Sequence, residues 1–255
     1  MKSKIVALIM ARGGSKSIPR KNISKVHGYP LIAWSIAACK LSKKIDEIII
    51  SSDDEKIISI AKKFGGNAPF VRPKKYATDK STDLEVFKHF LEWHEKNRLE
   101  KLRMIVHIRP TTPMRDPKII DKAIIFFEKN FNNFTSLRSI YEMPETSWKN
   151  FERKKNGMLK SLIEILKPRS KNKELANLPR QNLPKTFFAQ GYVDIVKPNI
   201  IKQNSTFGNK IYGYITNDVG EIDNLEQLKK INNQKIIGSK ALFKYLKKID
   251  KKKLI

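Results

Sequence analysis

Apolar positions along this chain come in two rhythms, short unbroken runs and longer stretches with helical spacing, and the two alternate. Residues 4–10 (KIVALIM) form the first run and read as a buried strand. His27-Gly28-Tyr29 reads as a turn, and residues 30–41 (PLIAWSIAACKL) carry helical apolar spacing. Residues 47–51 (EIIIS) predict a second buried strand, after which Asp53 is placed to cap a helix running through Lys63. Residues 68–71 predict an edge strand. Ser81-Thr82-Asp83 opens a long amphipathic helix to about Asn97, with Leu84, Phe87, Phe90, Leu91 and His94 on one face. Residues 104–108 (MIVHI) are a further buried strand, ending in Arg109-Pro-Thr-Thr-Pro-Met-Arg115. Asp116 and Pro117 then suit the N-cap and first position of a helix to about Lys129. Strands at 135–140, 187–196 and 210–215 and a helix at 224–232 follow.

Alternation of this kind predicts an α/β fold, a doubly wound sheet with helices on both faces. At 255 residues the chain fits one domain with a real core. Between 141 and 184 the pattern loosens into prolines, asparagines and charges around an apolar patch at 158–166. A strand-rich insertion or dimerisation arm would look like this, and so would a disordered loop. There is no internal repeat.

The chemistry gathers where strands end. The first strand runs into Ala11-Arg12-Gly13-Gly14-Ser15-Lys16, and the loop continues to Arg20-Lys21-Asn22. Gly13 and Gly14 let backbone approach an anion, successive N–H groups can form a concave nest, and Arg12, Lys16, Arg20 and Lys21 add positive charge. Such a loop points to a nucleoside triphosphate. It matches neither Walker A spacing nor the Gly-x-Gly-x-x-Gly of dinucleotide folds. The competing view is an ordinary basic loop facing water. Ligands of open α/β sheets sit beyond the strand ends, so the segments after 51 and 108 frame the same cleft. Glu221 and Asp223, two apart in an extended segment, share one side and suit Mg²⁺, which takes oxygen ligands and keeps phosphate and water in its sphere. Asp223 could equally cap the helix that begins at Asn224. The four histidines show no ligand spacing.

Charge changes the picture less than its size suggests. Lys and Arg number 52 against 25 Asp and Glu, a net +27, which raises nucleic acid as a partner. The excess is spread along the whole chain and is mostly lysine in an Ile- and Asn-rich sequence, so it argues against a nucleic-acid surface. The densest basic stretch, 240–255, reads as a solvated terminal helix, with a membrane surface or RNA as alternatives. No apolar run is long enough to span a membrane. The single cysteine, Cys39, excludes an internal disulfide, fits a reducing cytoplasm and reads as buried filler.

Taken together these segments resemble the acylneuraminate cytidylyltransferase family, the CMP-sialic acid synthetases. The resemblance rests on residues 11–22, Gly28-Tyr-Pro-Leu-Ile-Ala33, Ser51-Ser-Asp-Asp54, Arg72-Pro73 with Ala77-Thr-Asp79, Pro110-Thr-Thr-Pro-Met-Arg115, Arg180-Gln-Asn-Leu-Pro184 and Glu221-Ile-Asp223, in that order. It implies a Rossmann-like, mostly parallel sheet spanning 1–255, with 141–184 as a small inserted arm that pairs two copies into a homodimer. It implies CTP and a sialic-acid-like 2-keto-3-deoxy sugar acid as substrates, with Mg²⁺ (or Mn²⁺) assisting. Carried over by position, Ala11, Arg12, Gly13, Gly14, Ser15, Lys16, Lys21 and Asn22 would hold the nucleotide, with Arg72 and Asp79 near its base. Arg12, Lys21 and Asp223 would be catalytic, Lys21 acting at the α-phosphate. Arg109, Lys149, Arg180, Gln190 and Asp194 would meet the sugar acid, and Glu221 and Asp223 the metal. Three features depart from the family pattern. Arg109 stands where Gln is usual, and Gln190-Gly191-Tyr192 with Asp194 where Asn-Gly-Ala is usual. Glu221 replaces an Asp. The first two point to an altered sugar. A transferase of the same fold using another nucleotide or sugar, or a basic nucleic-acid binder, are the alternatives.

Overall fold

The computed structural model describes residues 3–166, 174–234 and 240–251. Its main sheet has the order β10-β6-β9-β5-β1-β4. These strands are β1 (Lys4–Met10), β4 (Glu47–Ser51), β5 (Leu102–His107), β6 (Ser136–Glu142), β9 (Phe187–Val196) and β10 (Ile211–Ile215). Lys25–Val26 (β2) and Tyr29–Pro30 (β3) form a tiny hairpin. Its two turn residues, His27 and Gly28, both have positive φ, as a tight hairpin turn requires. β1 runs parallel to both β4 and β5, while β9 returns antiparallel beside β5, facing His107 with Asp194.

β1 shows why the sheet is covered on both faces. Ile5, Ala7 and Ile9 point into one buried cluster, and Val6 and Leu8 into another, the two-residue alternation of a strand. The larger cluster is closed by α1 (Leu31–Leu41), α2 (Glu55–Lys63) and α4 (Pro117–Lys129). The smaller is closed by α3 (Asp83–Asn97), which brings in Phe87, Phe90 and Leu91, and by the short α6 (Pro198–Lys202). α7 (Leu225–Asn233) follows, and α8 (Lys240–Lys251) packs on α1. Leu242 and Leu246 of α8 are wholly buried, each stabilising the fold by about 1.5–3 kcal/mol. The basic terminal segment thus packs on the core through one face, Leu242 and Leu246 with Phe243, Tyr245 and Ile249, and residues 252–255 lie outside the described ones. No helix among the described residues is long and apolar enough to cross a membrane.

Two local expectations are corrected. Asp54, not Asp53, caps α2: its carboxylate accepts from the N–H of Ile57 at 3.0 Å. Residues 68–71 form no strand. Pro69 removes a ladder donor, and only Asn67 makes an isolated bridge to Ile49.

The chain divides into two compact units, Met1–Ser139 with Gln190–Ile255, and Ile140–Ala189. The second contains the hairpin of β7 (Phe151–Arg153) and β8 (Leu159–Ser161), the short helix α5 (Leu162–Leu166), and a turn of 3₁₀ helix, Ser147–Lys149, capped by Thr146.

Candidate active site

At the carboxyl ends of β1 and β5 lie two adjoining cavities of about 280 and 420 Å³, which share Arg12, Lys21, Asn22 and Asp79. The loop after β1 is tied down at both ends. Gly13 donates its N–H to Asp53 at 2.9 Å, and the buried Asn22 amide donates to the Arg12 carbonyl at 2.9 Å. A Cβ on Gly13 would sit 2.9 Å from Asp54 Cβ, so this position needs glycine, whereas Gly14 has open space. Two of the loop cations share one partner. Arg12 and Lys16 both reach the exposed Asp79 carboxylate, at 2.9 and 2.8 Å. Hydrogen bonding to Lys16, and the charges of Lys16 and Arg12, hold the Asp79 carboxyl below its usual range.

The far end of the chain returns to this loop. Ile222 is fully buried and donates its N–H to the Thr111 carbonyl at 2.9 Å. Ile222 is turned inward, Asp223 after it is exposed and Glu221 before it is half-buried. Asp223 meets Lys21 Nζ at 2.9 Å, and Glu221 accepts from the Thr111 hydroxyl at 3.3 Å. Asp223 does not cap α7. Asn224 does, in a capping box with Gln227. Gly191 of β9 underlies the same place: a Cβ there would lie 2.7 Å from Glu221 Oε1, 2.8 Å from Arg109 Cδ and 2.9 Å from Thr112 Oγ1. The residue that shapes this corner is Arg115. It is fully buried and donates to Tyr192 O at 2.7 Å, Ser35 Oγ at 2.9 Å, and the carbonyls of Arg109 and Gly191.

Behind the cavity sits a compact charge cluster. Arg109 pairs with Asp83 at 2.7 Å and lies 3.8 Å from the buried Asp194, which is also 3.6 Å from Arg138 and 3.9 Å from His107. Burial, reinforced by Arg109, drives His107 down to about 3, so its ring is neutral at pH 7. Burial raises the Asp194 carboxyl to about 6, against the pull of Arg138 and Arg109. Burial also works against Asp83, but the charges around it, Arg109 and Arg138 among them, outweigh that and hold its carboxyl below the usual range.

Residues 6–184 match the family model described as Cytidylyltransferase. The chain belongs to the cytidylyltransferase family. It is 37% identical over 142 residues to a pseudaminic acid cytidylyltransferase of Campylobacter jejuni, covering 55% of this chain and 60% of that one. It is 29% identical over 222 residues to the post-translational flagellin modification protein B of Campylobacter coli, covering 87% and 89%. An N-acylneuraminate cytidylyltransferase of Oncorhynchus mykiss is 34% identical over 156 residues, covering 61% and 34%. The match thus spans about 60% of the length of the pseudaminic acid enzyme. Among solved structures, CMP:2-keto-3-deoxy-manno-octonic acid synthetase complexed with CTP superposes with a TM-score of 0.64 at 15% identity, over 90% of this chain and 97% of that one. A cytidylyltransferase from Leptospira borgpetersenii gives 0.52 at 17% identity, over 99% and 96%. These structures establish the Rossmann-like fold.

Within this cytidylyltransferase fold, Arg12, Lys21, Asn22, Arg72, Asp79 and Arg109 all line the first cavity, and Gly14, Ser15 and Lys16 the second. Arg72 is nearly buried, and its guanidinium is spent on Ser51, to Oγ at 3.0 Å and to the carbonyl. It braces the end of β4. Asp79 is turned to the loop cations Arg12 and Lys16. Gln190 and Asp194, expected at the sugar, are turned inward together with Tyr192 between them. Gln190 is buried, and its amide donates to Thr216 Oγ1 and to the Asn217 carbonyl at 3.0 Å. Tyr192 is buried, with its hydroxyl accepting from Asp116 N at 2.6 Å. Asp194 is 1% exposed. All three are filled inward by the pleat and packing of β9. Lys149 and Arg180 belong to the second unit, at the end of Ser147–Lys149 and the start of Arg180–Asn182. Cys39 is buried, which pushes its thiol up to about 12, so it supplies no thiolate. Asp83 and Arg138 carried no separate sequence signal, since one charged residue opening a helix or within a strand looks like any other, and Arg115 was legible only as the end of the 110–115 motif.

Proposed function

We propose that this chain transfers CMP from CTP to the anomeric hydroxyl of a sialic-acid-like 2-keto-3-deoxy sugar acid and releases pyrophosphate. The observation that carries the reading is the Lys21–Asp223 contact, which closes the loop after β1 against the carboxylate segment of the chain's far end. The family match, and the pseudaminic and N-acylneuraminate names of the relatives, support it.

In such a transfer the hydroxyl oxygen forms a bond to the α-phosphorus as the bond to pyrophosphate breaks; pyrophosphate leaves with the electron pair and the hydroxyl proton passes to solvent. Catalysis is then mostly positioning and electrostatic stabilisation. Lys21 is the cation we assign to the α-phosphate. Its side chain is only 16% exposed and is fixed by Asp223, so little reorganisation is required. Arg12 and Lys16 are assigned to the outer phosphates, which would displace Asp79. Asn22 holds the loop's shape through the Arg12 carbonyl.

The donor set fits a hard divalent cation. Glu221 and Asp223 offer two carboxylates with one residue between them, while the described residues contain no group of three or more His, Cys, Asp or Glu that would form a protein-only cage. That is the arrangement expected for Mg²⁺, which keeps waters and substrate phosphates as ligands. When bound, the cation would neutralise phosphate charge, and Glu221 and Asp223 would hold it.

The second unit exposes Phe151, Met158, Leu159 and Leu166 within residues 141–184. An apolar surface of this kind supports the reading of 141–184 as the arm that joins two copies. The buried, inert Cys39 accords with a reducing cytoplasm.

The test is pyrophosphate release with CTP, UTP, ATP and GTP against sialic, legionaminic, pseudaminic and eight-carbon ulosonic acids. CTP with at least one of the sugar acids should give turnover that excess chelator abolishes. Turnover with another nucleotide alone would overturn the assignment.

A further inference from the structure

The charge cluster behind the cavity has a composition that an anion receptor would not have. Arg109 and Arg138 are cations, Asp83 and Asp194 are carboxylates, and His107 is neutral. Two positive charges therefore stand against two negative ones. Arg109 has a carboxylate at 2.7 Å and a second at 3.8 Å. A third carboxylate, from a sugar acid, would have to evict the first of these or share a cation already compensated twice. The sequence alone presents Arg109 as a free cation aimed at the substrate. The fold presents it as the clamp on Asp83.

What the cluster offers to the cavity is the other half of that pair. Asp83 is the first residue of α3, lines the cavity beside Ser81, Thr82 and Arg109, and keeps 36% of its side chain exposed. Oδ2 receives the Arg109 guanidinium, while Oδ1 accepts no hydrogen bond from any described residue. An ionised oxygen with free lone pairs, held by one rigid partner, is a strong acceptor for O–H donors. Arg109 still has N–H groups to offer beside it. Such a pair suits neighbouring hydroxyls and repels phosphate and carboxylate.

We propose that Asp83 is a specificity-determining residue that reads a substrate hydroxyl, with Arg109 and the buried Asp194 as the positioning residues behind it. The inference rests on the proposed CMP-transfer reading, which supplies two sources of that chemistry: the ribose of the nucleotide and the polyol of the sugar acid.

Two arms of one experiment separate them. The first titrates CTP, 2′-deoxy-CTP and 3′-deoxy-CTP into wild type, Asp83→Ala and Asp83→Asn. The second measures KM and kcat for the sugar acid that turns over. Thr82 and Glu85 still cap α3 in both variants, and a thermal melt checks that each folds. Asp83→Asn, which keeps an acceptor oxygen of the same shape, carries the test if Asp83→Ala does not fold.

If the ribose is read, wild type prefers CTP over one deoxy analogue by roughly 10-fold to 100-fold. Asp83→Ala abolishes that preference, and Asp83→Asn keeps part of it. If the sugar is read, the nucleotide affinities stay level and the sugar-acid KM rises by a similar factor, with kcat changing less. Unchanged ratios in the first arm together with an unchanged KM in the second overturn the proposal. So does tighter binding of the sugar acid by either variant, which would mark Asp83 as a mere competitor for Arg109. A wild-type protein that binds no CTP overturns the transfer reading itself, a different result from one that binds CTP indifferently to residue 83.

Discussion

Lys21 Nζ lies 2.9 Å from Asp223 Oδ1, joining positions 202 residues apart in the chain. Asp223 is 60% exposed, so the pair adds little to stability, about 1 kcal/mol at most. Its weight should fall on chemistry. Lys21→Ala is expected to lower kcat on the order of 10²–10³ while KM for CTP moves less. Asp223→Asn should lose most of its activity with the melting temperature nearly unchanged, because Asn224 caps α7. A fall in melting temperature with activity retained would return Asp223 to a structural role.

Asp79 occupies Arg12 and Lys16, the cations we assign to the outer phosphates. Asp79→Asn should therefore tighten CTP binding by roughly twofold to fivefold at low salt, with the gain shrinking as salt screens the exposed pairs. Isothermal titration in two salt concentrations reads this. Weaker binding by the variant would place Asp79 in direct contact with the nucleotide.

Gly191 is where β9, the loop after β5 and Glu221 converge. An added methyl would meet all three within 3 Å. Gly191→Ala is expected to cost about 1–3 kcal/mol of stability through overpacking and to lose most activity by displacing Glu221. Denaturant unfolding beside a turnover assay tests both. A fully active Gly191→Ala would mean the corner yields without consequence.

Arg115 donates to four acceptors in a closed interior. Arg115→Met should destabilise the protein by about 3 kcal/mol or more, since buried carbonyls are left without partners. Urea midpoints for wild type and variant give the answer, and a loss under 1 kcal/mol would show that the carbonyls find other donors.

Asp194 makes a pH prediction. Its carboxyl sits at about 6 in the folded protein against an ordinary 3.8. The folded state thus holds the proton longer than the unfolded one. Its contribution to stability must decline as pH rises from about 4 to about 6, and stay level above that. Melting temperatures of wild type minus those of Asp194→Asn, taken across that range, should fall with pH. Parallel profiles would mean Asp194 is ionised throughout.

Much of the architecture was legible because apolar period and end signals agree. Thr82 with Glu85, Asp116 with Pro117 and the all-apolar β1 each say one thing locally, and the fold repeats it. Asp53 and Asp54 were harder to tell apart. Both are good caps, and the choice depends on Gly13, 40 residues away, claiming Asp53. Residues 68–71 look like a strand if Pro69 is given no weight. The site divides in the same way. Backbone-rich segments such as the loop after β1 carry their meaning in sequence. Side chains on β9 do not, because Gln190 and Asp194 can face a ligand or the interior, and only the pairing with β5 decides. The compensation of Arg109 is invisible for the same reason, since Asp83 and Asp194 lie far from it in the chain.

The distance along the chain between Lys21 and Asp223 also sets a timetable for synthesis. The loop after β1 is made early, and its carboxylate partner follows 202 residues later. At ribosomal rates of 5–20 residues per second that interval is roughly 10–40 s. Through it α1, buried from Leu31 to Cys39 in the finished protein, waits for α8 to cover it with Leu242 and Leu246. A nascent chain thus presents a helix with one apolar face uncovered, beside a Lys21 that still lacks its acidic partner.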